Sequence, residues 1–351
     1  MQIIQKLIDR TSNLINKDAL LNNIVISSRI RLARNVEGIP FTSNFNENDR
    51  KKMFLLVKDI FDSKEIVKNS IFMNLGDYTR IERLFLVERH LVSREHSQGG
   101  ENYGVVINDT ETISIMINEE DHFRLQALHS GLQLFSAWRI IDEVDEKLSK
   151  NINYAFSPVF GYLTSCPTNL GTGMRASVML HLPALILTKQ IDKIIASASK
   201  MNIIARGLYG EGSKVLGDLF QISNQGAFGF KEANIVKKIE ETTKYIVDCE
   251  KTAREYLLKE SKSLLEDKVW RAYGILKHCR TISSAEALSL ISLVRLGLDV
   301  KILFKIGIDF NILNRMMLLI QPGHLQNIEK KRLDIKNRDI LRADLIRKML
   351  K

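Results

Sequence analysis

Ile24-Val25-Ile26 runs directly into Ser27-Ser28-Arg29-Ile30-Arg31-Leu32-Ala33-Arg34, a short apolar strand whose end alternates arginine with isoleucine and leucine. In extended chain alternate residues share a face, so Arg29 and Arg31 point to one side. Outward from this stretch, a helix is expected from Glu47 with Asn46 as its cap. Residues 105–108 and 112–118 alternate apolar and polar side chains around Asn108-Asp109, a hairpin signature. Leu128, Leu132, Phe135 and Trp138 stand at helical spacing and predict a long helix from near Asp121. Strands are expected over 154–164, a helix from near Met174, then strands over 202–206 and 218–223. The strand at 202–206 leads into the loop Gly207-Leu208-Tyr209-Gly210-Glu211-Gly212. From about Phe230 the pattern is helical to the end, with its clearest break at Pro322-Gly323. The pattern predicts an α+β part followed by an all-helical part.

Composition bounds the function. In 351 residues, 45% hydrophobic and 26% charged side chains are ordinary for a globular chain and exclude wholesale disorder. No apolar run approaches the ~18 residues of a membrane span. The longest, over 178–187, is interrupted by His181 and Pro183. The N-terminus lacks a basic segment followed by an apolar run, so no signal peptide is expected. Cys166, Cys249 and Cys279 are odd in number and widely spaced, which fits neither a disulfide framework nor a zinc motif. A soluble, cytoplasmic protein with free thiols is the expectation. Fifty-one Lys and Arg against 41 Asp and Glu leave +10, which favours anionic partners. Residues 329–351 hold nine basic and four acidic side chains, half of that excess.

No Walker loop, Rossmann fingerprint or nucleophile elbow is present. Arg29, Arg31, Arg124, Arg175 and Arg206 are instead all expected at junctions of strands and helices. Taken singly, each reads as a solvated surface charge. Together, with glycine-rich turns supplying N–H donors, they would hold a polyphosphate through rigid bidentate forks. Asn118-Glu119-Glu120-Asp121 reads either as an acidic helix start favoured by the macrodipole or as a carboxylate placed to accept a proton. Glu211 is a candidate partner for it. Cys166 precedes Pro167 at a loop junction, where a thiolate could be stabilised, although a lone cysteine is more often buried and inert. The histidines show no metal-ligand spacing, and His129 reads as structural.

Three stretches in order carry a resemblance: Ser27 to Arg34, Asn118-Glu119-Glu120-Asp121-His122-Phe123-Arg124, and Cys166-Pro167-Thr168-Asn169-Leu170-Gly171-Thr172-Gly173-Met174-Arg175-Ala176. Together they resemble the ATP:guanidino phosphotransferases, the creatine and arginine kinase family. Arg175-Ala176-Ser177-Val178-Met179-Leu180-His181-Leu182-Pro183, Arg206-Gly207-Leu208-Tyr209-Gly210-Glu211 and Arg338-Asp339-Ile340-Leu341-Arg342-Ala343 look like the branch that phosphorylates protein arginine. With them the resemblance spans nearly the whole chain. It implies an antiparallel sheet flanked by helices over 1–245 and a helical regulatory domain over 246–351. It implies an ATP site of Ser27, Ser28, Arg29, Ile30, Arg31, His90, Arg124, Arg175, Ala176, Ser177, Val178, Met179, Arg206, Gly207, Leu208, Tyr209, Gly210 and Glu211. Glu120 is implied as the catalytic carboxylate, Glu211 as a second clamp on the guanidinium and Cys166 as an active-site thiol. Mg²⁺ is implied on the nucleotide, with no metal ligand from the protein directly.

The implied reaction moves the γ-phosphoryl group of ATP to arginine side chains of proteins. A kinase of a free guanidino metabolite such as arginine, or a basic adaptor or nucleic-acid-binding module, are the competing readings. Few aromatics and no nucleic-acid motif weigh against direct nucleic-acid binding. Only 26 residues precede Ser27, so no closing N-terminal domain is expected and the substrate side should be open to a protein. The resemblance further implies a stress-response role with an activator protein, the class III heat-shock repressor and a Clp-type ATPase as partners, and a homodimer. Spacing alone makes 335–349 a solvated basic helix with salt bridges such as Asp334 to Arg338. The resemblance makes Arg338, Asp339, Arg342 and Ala343 an allosteric phosphoarginine site.

Overall fold

The structure, a computed structural model, describes residues 2–9, 21–207, 215–304 and 306–351. Leu208, Tyr209, Gly210 and Glu211 therefore lie outside the described residues. The elements are α1 (Gln2–Asp9), β1 (Val25–Arg34), α2 (Glu47–Ser63), β2 (Ser70–Asn74), α3 (Arg80–Glu88), β3 (Gly104–Asn108), β4 (Ile113–Ile117), β5 (Phe123–Ser130), α4 (Leu134–Ser149), β6 (Phe156–Ser157), β7 (Gly161–Tyr162), β8 (Met174–His181), α5 (Pro183–Leu187), α6 (Ile191–Lys200), β9 (Ile203–Gly207) and β10 (Leu219–Asn224). After β10 come α7 (Glu232–Glu260), α8 (Lys262–His278), α9 (Ser284–Asp299), α10 (Phe310–Leu319), α11 (Pro322–Ile328) and α12 (Ile335–Met349). α7 runs unbroken through the boundary drawn at 245/246.

An eight-stranded sheet ordered β2-β3-β4-β5-β1-β8-β10-β9 organises the first part, and its strands pair antiparallel throughout. One face carries Ile30, Leu32, Leu125, Ala127, Ala176, Val178, Phe220 and Ile222, all buried in the main core with residues of α2, α4 and α7. The N-cap of α2 is Asn46, which forms a reciprocal capping box with Asp49. A smaller core joins α1 and α3 to β2, β3 and β4 through Leu7, Phe85, Met73, Val105 and Met116.

Three expectations are corrected. β1 extends to Arg34, so Arg29 and Arg31 sit inside a strand rather than at its end. No helix starts near Asp121: residues 123–130 form β5, α4 begins at Leu134, and Gly131 at φ 65° makes the break between them. No helix starts near Met174 either, because 174–181 is β8, held between β1 and β10. Both strands lie inside the sheet with one face on the core and the other lining a partly apolar cavity, so apolar residues fall on either side and the period-two pattern fades. Leu128 and Met179 are the residues that obscured it. The five arginines consequently do not lie at strand–helix junctions: Arg29 and Arg31 are inside β1, Arg124 and Arg175 are the second residues of β5 and β8, and Arg206 is the last but one of β9.

Candidate active site

Strand register assembles the arginines on the second face of the sheet. Arg31 on β1 stands opposite Arg175 on β8 and Gln126 on β5. Arg29 stands opposite Ser177 and Leu128. One strand further, Gln221 on β10 is opposite Met179 and Arg206. Because side chains alternate, the partners in each row share one side. The Arg29 guanidinium donates from Nη2 to Gln221 Oε1 at 2.8 Å, and Arg175 Nη2 donates to Ser223 Oγ at 3.0 Å.

This face opens into a cavity of about 1210 Å³ whose lining includes Ser27, Arg29, Arg31, His90, Arg124, Ser177 and Met179. Ser28, Ile30, Ala176 and Val178 belong to the opposite, buried side of the same strands. Ser28 Oγ there donates to Gly131 O at 2.7 Å and accepts from the N–H of Gln133 at 3.0 Å. Arg175 and Arg206 lie beside the cavity lining rather than in it, and each acts electrostatically on its neighbours.

The cluster carries an excess of positive charge. Burial, then Arg124 and Arg175, lowers the Arg29 guanidinium to about 10. Burial and the charges of Arg29, Arg124 and Arg175 drive Arg31 well below the usual range, with Glu119 opposing. The Nε atoms of Arg31 and Arg175 are buried without a hydrogen-bond partner. Buried orphaned donors among like charges are costly unless an anion completes them, and a polyphosphate fits that need. His90, at φ 59° just beyond α3, is lowered to about 4 by burial and then by Arg29 and His324, so it is neutral at pH 7. It faces the same cavity as a neutral side chain.

Residues 118–122 form a tight turn between β4 and β5, not a helix start. Asn118 takes φ 64°, and its N–H donates to His122 O at 3.0 Å. Glu119 is tucked inward: it pairs with the Arg124 guanidinium, accepts from Ser93 Oγ at 2.7 Å and accepts from the N–H of Glu120 at 3.0 Å. Burial alone would raise its carboxyl, but Arg124 and these hydrogen bonds outweigh it and hold the group below the usual range. Glu120 is exposed, and its carboxyl is raised by partial burial and by Asp121 and Glu119, against the pull of Arg124 and Arg31. Two adjacent carboxylates are thus pushed in opposite directions, one into an ion pair and one toward proton exchange.

Asp121 Oδ1 accepts from Asn35 Nδ2 at 2.6 Å and from the N–H of Ser165 at 2.7 Å, tying the acidic turn to the Cys166 loop. That loop is fixed from below by Arg34, which binds Asp145 through Nε and Nη2, lies 3.6 Å from the Tyr162 ring centroid and donates to Thr172 O at 2.9 Å. Gly173, at φ 67°, is required there, since a Cβ would approach Arg34 Nη1 to 2.5 Å. Cys166 is partly exposed, with Sγ 3.0 Å from Thr168 Oγ1. Arg175 feels the charges of both Cys166 and Glu120. His122 is structural: its Nδ1 accepts from the N–H of Val36 at 2.8 Å and its Nε2 donates to Pro40 O at 2.7 Å.

Sequence reasoning missed Gln221, Ser93 and Gln126, and all of the cavity lining from the helical part. Gln221 was the accessible one, because it falls two residues before Ser223 on a strand already expected. Nothing in the sequence pointed to α9, α10 and the start of α11, which supply Leu288, Met317 and Pro322. A joint between the parts lies alongside: Glu88 at the end of α3 accepts from the N–H groups of Gly323 and His324 at 2.6 and 2.9 Å and pairs with His324 Nδ1 at 2.8 Å. In α12, Arg338 and Arg342 are both present on the helix as expected, and Asp339 pairs with Arg342. Arg342 is itself buried, donating from Nε to Ile320 O at 2.9 Å and from Nη1 to Ile282 O at 2.8 Å, with Ala343 packed into the core beside it. Asp334 caps α12 by accepting from the N–H of Asn337 at 2.7 Å.

An arginine-lined sheet face, tied to an acidic turn through the Glu119–Arg124 pair, suits a phosphotransferase. Comparison with known proteins agrees. The ATP:guanido phosphotransferase C-terminal catalytic domain matches residues 52–253, and the protein-arginine kinase McsB C-terminal domain matches 262–351. The chain belongs to the ATP:guanido phosphotransferase family, in its protein-arginine kinase branch. It is 46% identical over 328 residues to the protein-arginine kinase of Halothermothrix orenii, covering 93% of each chain. It is 43% identical over 331 residues to that of Bacillus subtilis, covering 94% of this chain and 90% of the relative. Among solved structures, the duplicated taurocyamine kinase of Schistosoma mansoni with bound transition-state-analogue components matches at TM-score 0.60 and 27% identity, over 69% of this chain and 36% of that one. Lombricine kinase, at 23% identity and TM-score 0.58 over 69% of this chain and 71% of its own, shares the fold. Among the described residues no helix is long and apolar enough to cross a membrane.

Cys166→Ala is expected to lose only part of the activity, because phosphoryl transfer needs no covalent cysteine intermediate. Steady-state rates with and without a thiol reagent check this. Normal activity together with indifference to the reagent would reduce Cys166 to a loop residue.

Proposed function

We infer that the chain transfers the γ-phosphoryl group of ATP to the guanidinium of arginine side chains in proteins. The observation that carries this reading is the cluster of Arg29, Arg31 and Arg175, whose mutual repulsion outweighs the nearby carboxylates, with Glu120, whose carboxyl is raised, acting on Arg175. A guanidinium keeps its proton below pH ~12 and is a poor nucleophile until that proton has a place to go. In the reaction the terminal nitrogen attacks the γ-phosphorus, an N–P bond forms, the bond from phosphorus to the bridging oxygen breaks, and ADP leaves. The proton passes to Glu120, which also orients the planar fork. The arginines stabilise the negative charge spread over the equatorial oxygens. Bound Mg²⁺ would enter with the nucleotide and neutralise phosphate charge. Glu119 holds Arg124 and the backbone N–H of Glu120, fixing the phosphate-binding and proton-accepting sides of the site relative to one another. Glu211, outside the described residues, completes the grip on the guanidinium in this reading.

Labelled ATP tests it, with an unfolded protein and free arginine as separate acceptors. Label on protein that survives alkali and is lost in acid is the expected result for an N–P bond. Label on free arginine alone would favour a metabolite kinase, and no transfer at all a binding module. We assign residues 1–245 to catalysis and 246–351 to regulation, in a cytoplasmic protein. An activator protein, the class III heat-shock repressor and a Clp-type ATPase are the partners this reading proposes, and a homodimer its assembly.

The regulatory reading centres on Arg338, Asp339, Arg342 and Ala343. Guanidinium groups suit a phosphoryl dianion, and a carboxylate suits the guanidinium that bears it. Free phosphoarginine is expected to raise the activity of the native chain, by about 5- to 150-fold if the coupling is of ordinary size, and not that of Asp339→Ala. Equal responses in the two would leave α12 a packed helix with no sensing role.

A further inference from the structure

The nucleotide reading of the cavity leaves part of it unexplained. Its volume, about 1210 Å³, exceeds the ~300–1,000 Å³ of most small-molecule sites. A nucleotide has two unlike ends, a polyanion and a flat apolar heterocycle. The arginine rows account for the first. The second calls for apolar walls, and the cavity has them where the two parts of the chain meet. Leu216 and Leu219 come from the catalytic part, Leu288 from α9, and Met317 and Leu318 from α10.

These walls adjoin. Gly217 stands at φ 64° between Leu216 and Leu219, and a Cβ there would lie 3.3 Å from Leu288 O and 3.4 Å from Leu288 Cβ. Leu219 lies two residues before Gln221, the acceptor of Arg29 Nη2. At a strand rise of ~3.4 Å per residue the apolar wall therefore begins about 7 Å from the arginine rows. That spacing suits a nucleotide whose phosphates lie on the arginines. The α9 and α10 side of the wall is held by Arg342, which binds Ile282 O just before α9 and Ile320 O just after α10.

We propose that the helical C-terminal part forms one wall of the base pocket, with Leu288, Met317 and Leu318 facing Leu216 and Leu219 across the adenine ring. The proposal rests on the nucleotide reading of the cavity and adds that α9 and α10 determine the affinity for the base. Leu288 is 3% exposed and well packed, whereas Met317 is only partly buried, with a thioether suited to an aromatic face.

The test uses the full chain and compares binding of ATP with binding of inorganic tripolyphosphate, both with Mg²⁺, by calorimetry. In the native protein ATP should bind more tightly than tripolyphosphate. In Met317→Ala, ATP affinity should fall by about tenfold or more, while tripolyphosphate affinity stays within about twofold. Leu288→Ala, checked for folding by its melting curve, should behave alike. Unchanged ATP affinity in Met317→Ala, or an equal loss for both ligands, overturns the base wall. Native protein that binds ATP no better than tripolyphosphate overturns it too. Native protein that binds neither removes the nucleotide reading itself, and the base wall with it.

Discussion

Glu120→Gln is expected to slow phosphoryl transfer by about 10²- to 10⁴-fold while nucleotide affinity stays within about twofold. The substitution keeps the shape of the side chain and removes both its charge and its capacity to take a proton. The fold should tolerate it, because Glu120 is exposed and the turn is fixed by neighbours: Asn118, Glu119 and Asp121 hold the backbone through the bonds to His122 O, Arg124 and Ser165. The pH profile supplies a second readout. The base must be ionised to act, so activity is present above its pKa and lost as pH falls through it. Burial, Asp121 and Glu119 raise that pKa, so the acid limb in the native enzyme should lie above the ~4.3 of an ordinary glutamate. In the glutamine variant the residual rate should lose that limb. A variant that keeps more than half its rate, or the same acid limb, would take Glu120 out of the mechanism.

The candidate site residues are more legible in the sequence than the strands that carry them. Arg29 and Arg31 were readable as a pair because a strand's period of two is short and local. β5 and β8 lack that signature because the face opposite the core lines the cavity with Leu128 and Met179 as well as with polar residues, so alternation of polarity is lost there. Arg124 and Arg175 stand out in the sequence as arginines, but the element that carries each is a strand and not a helix start. What no local pattern contains is register. Arg31 meets Arg175 across a ladder separated by more than a hundred residues of chain, and only the paired strands set that meeting. The same holds for the second wall of the cavity. Leu288 and Met317 look like ordinary core residues of amphipathic helices, and they acquire a second use only because α9 packs on Gly217.

The joint between the parts gives the helical domain a physical hold on the site. Glu88 is followed one residue later by Arg89, which is buried against Glu111, and then by His90 of the cavity. Its carboxylate takes three hydrogen bonds from Gly323 and His324, and the His324 ring lies 4.4 Å from that of Phe85. Displacement of α11 would therefore move the end of α3, which His90 follows by two residues and which leads on to Ser93 and its bond to Glu119. Arg342 reaches the same junction through Ile320 O, so α12 is two links from His90. This is a route along which a ligand on α12 could act, provided it favours one arrangement of α11 over another.

Arg31→Met should abolish measurable transfer and yet raise the melting temperature of the nucleotide-free protein. Arg31 and Arg175 face one another in register, and each has a buried Nε without a partner. Burial and then Arg29, Arg124 and Arg175 disfavour the charged form of Arg31, and they outweigh the opposing carboxylates Glu119 and Glu120. Methionine fills similar space without bringing a cation into that field, so the free fold gains. The loss of function follows from the same field, because the bidentate fork that suits a phosphate is gone and the developing charge of the transition state has lost a counter-charge. Arginines in that role contribute about 10³- to 10⁵-fold in other phosphoryl transfers. Arg31→Lys keeps the charge without the fork and should fall between the two, with weaker nucleotide binding and a slower step. Melting curves with and without ATP, beside single-turnover rates, separate the effects. The native protein should gain stability on adding ATP, and Arg31→Met should gain little, since ligand stabilisation follows affinity. A methionine variant that melts lower than the native free protein, or that transfers phosphoryl groups at the native rate, would show that Arg31 is a structural cation and that the anion site lies elsewhere on the sheet.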